Sequence, residues 1–90
     1  MPNKYPQTID AELDVHGMTR DEAGGAVLAF LAESEGEHRK LIRIIVGRGL
    51  HSKNGPVLAR TVRDLLDMEG YEFRDAKVNE GGEGAVIVKL

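Results

Sequence analysis

A two-layer α/β sandwich, with two helices over a four-stranded mixed sheet, is predicted by the order of patterns along the 90 residues. Three observations carry that prediction. Period-two or continuously β-branched runs mark four strands, segments with apolar residues at helical spacing separate the first three, and glycines close most elements. The order is β-α-β-α-β-β, two βαβ units followed by a hairpin.

Residues 1–10, "MPNKYPQTID", hold Pro2, Pro6 and few apolar groups, and read as an N-terminal arm before one domain over residues 11–90. In "AELDVHG", Leu13 and Val15 point one way and Asp14 and His16 the other, because strand side chains alternate; Gly17 ends the strand. Thr19 is a helix cap, and Glu22, three residues on, completes a capping box. Ala23, Ala26, Val27, Phe30, Leu31 and Ser34 recur at helical spacing, so a helix is expected over residues 20–34. Gly24 and Gly25 inside it cost about 1 kcal/mol each relative to alanine, and close packing against the sheet is the expected reason for them. "EGEH" turns the chain. "KLIRIIV" is continuous enough for the buried centre of a parallel sheet. Pro56 suits the first turn of a second helix, Leu58, Val62, Leu65 and Leu66 give its apolar stripe, and Gly70 stops it. "YEFRDAKV" is a third strand with an irregularity near Asp75. "NEGGEG" turns, and "AVIVKL" is the last strand.

Composition narrows the class. At this length a chain buries about 60–65% of its unfolded surface, so one core is expected. Apolar content of 41% and charged content of 30% suit a globular domain. The absence of cysteine excludes disulfides and thiolate metal sites. The start has no apolar signal region and no run reaches membrane-span length, so a cytoplasmic protein without membrane contacts is expected. The formal charge is -3, yet its distribution is uneven. From His38 to Arg63 there is no Asp or Glu, but seven cations: Arg39, Lys40, Arg43, Arg48, Lys53, Arg60 and Arg63. A local +7 thus sits beside a remainder of -10. Such polarity can draw a polyanion to one face; two solvated faces of opposite sign are the plainer alternative.

Ligands of open α/β sheets collect at the carboxyl ends of parallel strands. Asp14 and His16 end the first strand, while Gly47, Arg48, Gly49 and His51 follow the second, so neighbouring strands would place both groups on one rim. The segment "GRGLHSKNG" lacks the lysine-serine ending of a nucleotide phosphate loop. It nevertheless has glycines able to present backbone N–H groups, Arg48 and Lys53 as cations, and a helix start behind it. His16 and His51 are the candidate proton-transfer groups, since imidazole titrates near neutral pH. Asp14 can orient His16, accept a bond from the loop, or bind a divalent ion. One carboxylate with histidines is thin support for a dedicated metal site. Aromatic content of 4% gives no evident platform for stacking bases.

The stretches "LDVHG" (13–17), "TRDEA" (19–23), "IIVGRGLHSKNGPVL" (44–58) and "GGEGAVIVKL" (81–90) together resemble the small MutS-related (Smr) domain family over residues 10–90. The resemblance implies a fold like that of the carboxyl-terminal domain of translation initiation factor three. It also implies endonuclease or nucleic-acid-binding activity, in DNA repair and recombination or in ribosome quality control. By the same resemblance Asp14 and His16 are associated with cleavage or substrate binding, and Gly47, Arg48 and Gly49 with nucleic-acid engagement. His51 and Ser52 fall in the same region. Val15 in place of the commoner leucine, and the glycine pair in the first helix, depart from the family pattern without removing a functional group.

The expected function is therefore a phosphodiester-cleaving module. Asp14, His16 and His51 are its catalytic candidates; Gly47, Arg48, Gly49, Ser52, Lys53, Arg43 and Arg60 are its candidates for nucleic-acid contact. RNA cleavage can use the 2′-OH with two histidines as base and acid, whereas DNA cleavage calls for an activated water and a divalent cation such as Mg2+ near Asp14. Expected partners are DNA or RNA, including branched DNA or ribosome-associated messenger RNA, and a larger MutS-like protein if the domain is part of one. The alternative is a non-catalytic module that binds DNA, RNA or a ribosome.

Overall fold

The structure, a computed structural model, describes residues 8–47, 55–80, 82 and 84–90. Its elements run β1 (Ala11–Asp14), α1 (Arg20–Gly36), β2 (Leu41–Ile45), α2 (Gly55–Met68), β3 (Glu72–Asp75), a 3₁₀ turn (Val78–Glu80) and β4 (Ala85–Lys89). The sheet order is β1-β2-β4-β3, with β1 parallel to β2 and β4 antiparallel to both β2 and β3. The expected two-layer, four-stranded mixed sheet is therefore present. One expectation changes: β2 has a parallel neighbour on one side only. The last strand turns back from β3 into the slot beside β2, and its first four residues are all buried. The third strand is also shorter than "YEFRDAKV", ending at Asp75 before the 3₁₀ turn.

Both helices cover one face of the sheet. Val15, Ile42, Ile44, Val46, Val86 and Val88 pack there with Ala23, Val27, Phe30 and Leu31 of α1 and Leu58, Val62 and Leu66 of α2. On the opposite face the cross-strand row runs Glu12, Arg43, Ile87, Arg74. Ile87 is fully buried there between two arginines, whose aliphatic stems can shelter apolar surface.

α1 begins as its sequence requires. Thr19 Oγ1 accepts the Glu22 N–H at 3.2 Å, and Glu22 Oε1 accepts the Thr19 N–H at 2.9 Å. The helix continues two residues past the expected end, and His38 closes it in the left-handed region at φ 57°. Gly24 does not press against the sheet: a Cβ there would lie 3.9 Å from Leu65 Cδ1 on α2, an ordinary contact. Gly25 is exposed, and a methyl group added to it would meet nothing within 4 Å. Gly25→Ala is accordingly expected to stabilise the domain by about 1 kcal/mol, read as a higher urea midpoint at unchanged slope.

Asp10 fixes the other end of the parallel pair. Its N–H donates to Leu41 O at 2.8 Å, and its Oδ2 accepts the N–H groups of Lys40 at 2.8 Å and Leu41 at 3.3 Å. The bonds from Lys40, then Leu41, hold the carboxyl below its ordinary value of 3.8 despite slight desolvation. A depressed carboxyl stabilises the fold above its unfolded value, and that contribution is lost as pH falls through the lower folded value. Asp10→Ala is expected to be less stable than the parent at about pH 7, with the difference shrinking at about pH 2.5 in urea titrations. At the same end of the molecule, Tyr71 Oη donates to Glu35 Oε1 at 2.5 Å, and that carboxylate pushes the phenol up to about 12. Among the described residues, no helix is long and apolar enough to cross a membrane.

Candidate functional site

The parallel pairing of β1 and β2 sets Asp14 opposite Ile45, so their carboxyl ends share one edge of the sheet. Val15 N–H extends the pairing by one bond, to Ile45 O at 2.8 Å. There the chain turns: Met18 N–H donates to Val15 O at 3.1 Å, with Gly17 at φ +80° between them. Asp14 organises that turn. Its Oδ1 accepts the His16 backbone N–H at 3.0 Å and faces the ring Nδ1 at 2.5 Å. A carboxylate at Nδ1 favours the tautomer with the proton there, which leaves Nε2 as a proton acceptor. The His16 side chain is 69% exposed, so this ring is held on one side and open on the other.

Desolvation alone would raise the Asp14 carboxyl. The side-chain and backbone bonds from His16 outweigh it, and the group sits below its ordinary value of 3.8. Asp14 is thus ionised at neutral pH, as an orienting partner must be.

The end of β2 meets the same place from the side. Val46 N–H and Gly47 N–H both donate to Gly84 O, at 2.7 and 3.1 Å. Gly47 has φ +89°, and a Cβ on it would lie 3.4 Å from His16 Cβ. The structure therefore brings Asp14, His16 and Gly47 together, as expected of a shared rim. It differs on one point: the Gly47 N–H is directed at Gly84 rather than presented to a ligand. Gly84 itself was hidden in "NEGGEG", where a glycine reads only as a turn residue; its place before the last strand was the available signal.

The remaining candidates are spread out. Arg43 lies on the helix-free face, where its Nε donates to Glu12 Oε2 at 2.9 Å. Arg60 is exposed on α2, roughly 7 Å along the axis from the start of that helix. Arg48, Gly49, His51, Ser52 and Lys53 lie outside the described residues. The acid-free segment does not keep its charges to itself: Arg63 pairs with Asp75, and Arg39 reaches Glu33 at 3.7 Å and Ser34 Oγ at 3.1 Å. Cross-strand and helix–strand contacts supply the acids that the segment lacks in sequence.

An exposed histidine clamped by an aspartate, at the carboxyl ends of adjacent parallel strands, marks the candidate site of an α/β sandwich domain at the kind of sheet edge where such folds collect ligands. More narrowly, the chain belongs to the Smr domain family, whose model matches residues 13–90. It is 37% identical over 84 residues to a protein of Treponema pallidum (strain Nichols), a match covering 90% of this chain and 41% of that protein. Endonuclease MutS2 of Caldicellulosiruptor bescii is 31% identical over 86 residues, covering 93% of this chain and 10% of the relative. Ribosome rescue factor SmrB of Vibrio cholerae is 32% identical over 84 residues, covering 90% and 42%. The chain thus spans less than half the length of each of these relatives. Among solved structures, the Smr domain of Thermus thermophilus MutS2 matches with a TM-score of 0.74 at 30% identity, covering 89% of this chain and 96% of that one. YdaL, a stand-alone small MutS-related protein from Escherichia coli, matches with a TM-score of 0.81 at 26% identity, covering 97% and 67%.

Proposed function

We propose that this domain binds a nucleic-acid backbone at the β1–β2 edge and cleaves it as an endonuclease, with RNA as the substrate. The observation that carries the proposal is the His16 ring, held at Nδ1 by Asp14 and exposed on its other side. The resemblance to an endonuclease, MutS2, and to a ribosome rescue factor, SmrB, supports it. Ribosome-associated messenger RNA is the partner that suits the second of these relatives, as does the expected likeness to a domain of an initiation factor. A larger MutS-like host and branched DNA suit the first.

On RNA the chemistry needs a base, an acid and charge stabilisation. His16 Nε2 takes the proton of a 2′-OH, the 2′-oxygen bonds to phosphorus, and the bond from phosphorus to the 5′-oxygen breaks. His51 gives a proton to the departing oxygen, while Arg48 and Lys53 offset charge on the five-coordinate phosphate. Asp14 keeps the His16 ring oriented and stabilises the imidazolium that forms. Gly49 and Ser52 belong to the same stretch of sequence, and Arg43 and Arg60 are assigned to phosphates farther along the strand.

DNA lacks the 2′-OH, so water would have to be activated, a task that a divalent cation such as Mg2+ performs. Asp14 Oδ1 is already shared by two His16 donors, and among the described residues no three His, Asp or Glu groups gather to hold an ion. Asp14 is the residue that would hold such a cation.

Matched end-labelled RNA and DNA, each with and without chelator, test the reading. RNA products ending in a 2′,3′-cyclic phosphate, formed in chelator, are the expected result. If neither polymer is cut while binding persists and weakens steeply with salt, the domain is a non-catalytic binding module instead.

A further inference from the structure

The Gly84 carbonyl ends the β2–β4 ladder in an unusual way. Two successive N–H groups, from Val46 and Gly47, converge on this one oxygen, so two residues of β2's extension face one residue before β4. Such a bulge-like ending bends a strand and redirects the chain beyond it. It also occupies the Gly47 N–H, which a phosphate cradle would need free.

What Gly47 offers instead is its backbone conformation. Its φ of +89° is a conformation that side-chain-bearing residues adopt at a cost. A Cβ there would lie 3.4 Å from His16 Cβ, at the near limit of ordinary contact, so the backbone of Gly47 runs directly beside His16. His16 in turn is tied to Asp14 Oδ1 through both its backbone N–H and its ring, so its position is transmitted directly to the 2.5 Å ring contact. Gly84, at φ +88°, lies in the same glycine-favoured region, and the direction of its carbonyl depends on that conformation.

We infer that Gly47 and Gly84 are positioning residues for His16: Gly84 anchors the end of β2, and Gly47, in its glycine-favoured conformation against His16, fixes where the His16–Asp14 pair sits. Gly47 acts through His16 rather than by touching phosphate. The inference rests on the catalytic role proposed for His16, and its test has an arm that needs no cleavage.

Gly47→Ala, Gly47→Asn and Gly84→Asn separate crowding from backbone strain, because asparagine tolerates positive φ better than alanine does. Thermal melts first select the variants that fold; the two asparagine variants carry the test if Gly47→Ala does not fold. Imidazole ¹⁵N–¹H spectra then read the His16 Nδ1–H bonded to Asp14. That signal is expected to move or vanish in every folded variant. With RNA, kcat is expected to fall roughly 10- to 100-fold, as for a misplaced catalytic group. KM, affinity and the salt slope of binding stay at the parent's values. An unchanged His16 signal overturns the inference. So does a loss of affinity with a salt slope smaller by about one, the mark of a lost phosphate contact. If the parent protein cleaves nothing, the nuclease reading fails, and the His16 spectra still decide this one.

Discussion

His16→Ala is expected to lower RNA cleavage by about 10²- to 10⁴-fold while leaving RNA affinity nearly unchanged. The size of the effect follows from removing the proton acceptor, since the nucleophilic 2′-OH then has to lose its proton to water. The selectivity follows from exposure: a side chain 69% open to solvent contributes little to packing. Single-turnover cleavage at saturating RNA reads the rate, and filter binding across a salt series reads affinity. Equal cleavage by parent and variant would remove His16 from the chemistry. A parallel loss of binding would make it a contact rather than a base.

The largest loss of stability is expected from Ile44→Ala. Ile44 is fully buried, paired with Leu13 of β1 on one side and Val86 of β4 on the other. Truncating it leaves a cavity beneath both helices, at a cost of about 2–5 kcal/mol. A domain of this size has about 5–15 kcal/mol in all, so a large part of its stability goes. Urea unfolding at constant slope measures the change. Leu28→Ala, on a half-exposed side chain of α1, is the control and stays within about 0.5 kcal/mol.

Local chemistry made much of this molecule readable. The Thr19–Glu22 box, the stripe from Ala23 to Ser34 and the stop at Gly70 depend on residues within a few positions of one another, and each stands where its spacing predicts. The Asp14–His16 juxtaposition is likewise a two-residue matter of strand parity. What escaped was non-local. Nothing in "AVIVKL" says that it enters between β2 and β3, because a run buried on both faces fits any interior slot. The pairing of Arg43 with Glu12, and of Arg63 with Asp75, depends on register and helix placement, so a charge count over residues 38–63 overstated the free positive charge. Gly24 turned toward α2 rather than the sheet for the same reason.

The position of β4 has a consequence for when the site comes into being. Synthesis delivers β1, α1, β2, α2 and β3 before the strand that lies between β2 and β3. A nascent chain extending only to Gly82 has β1 and β2 able to pair, β3 without its neighbour, and no Gly84 carbonyl to receive Val46 and Gly47. The insertion of β4 is a long-range pairing of the slow kind, and it closes the sheet and seats the edge that carries His16 in one event. The cutting activity proposed for this edge is therefore expected to be absent from a chain that stops before β4 and to appear once that strand is in place.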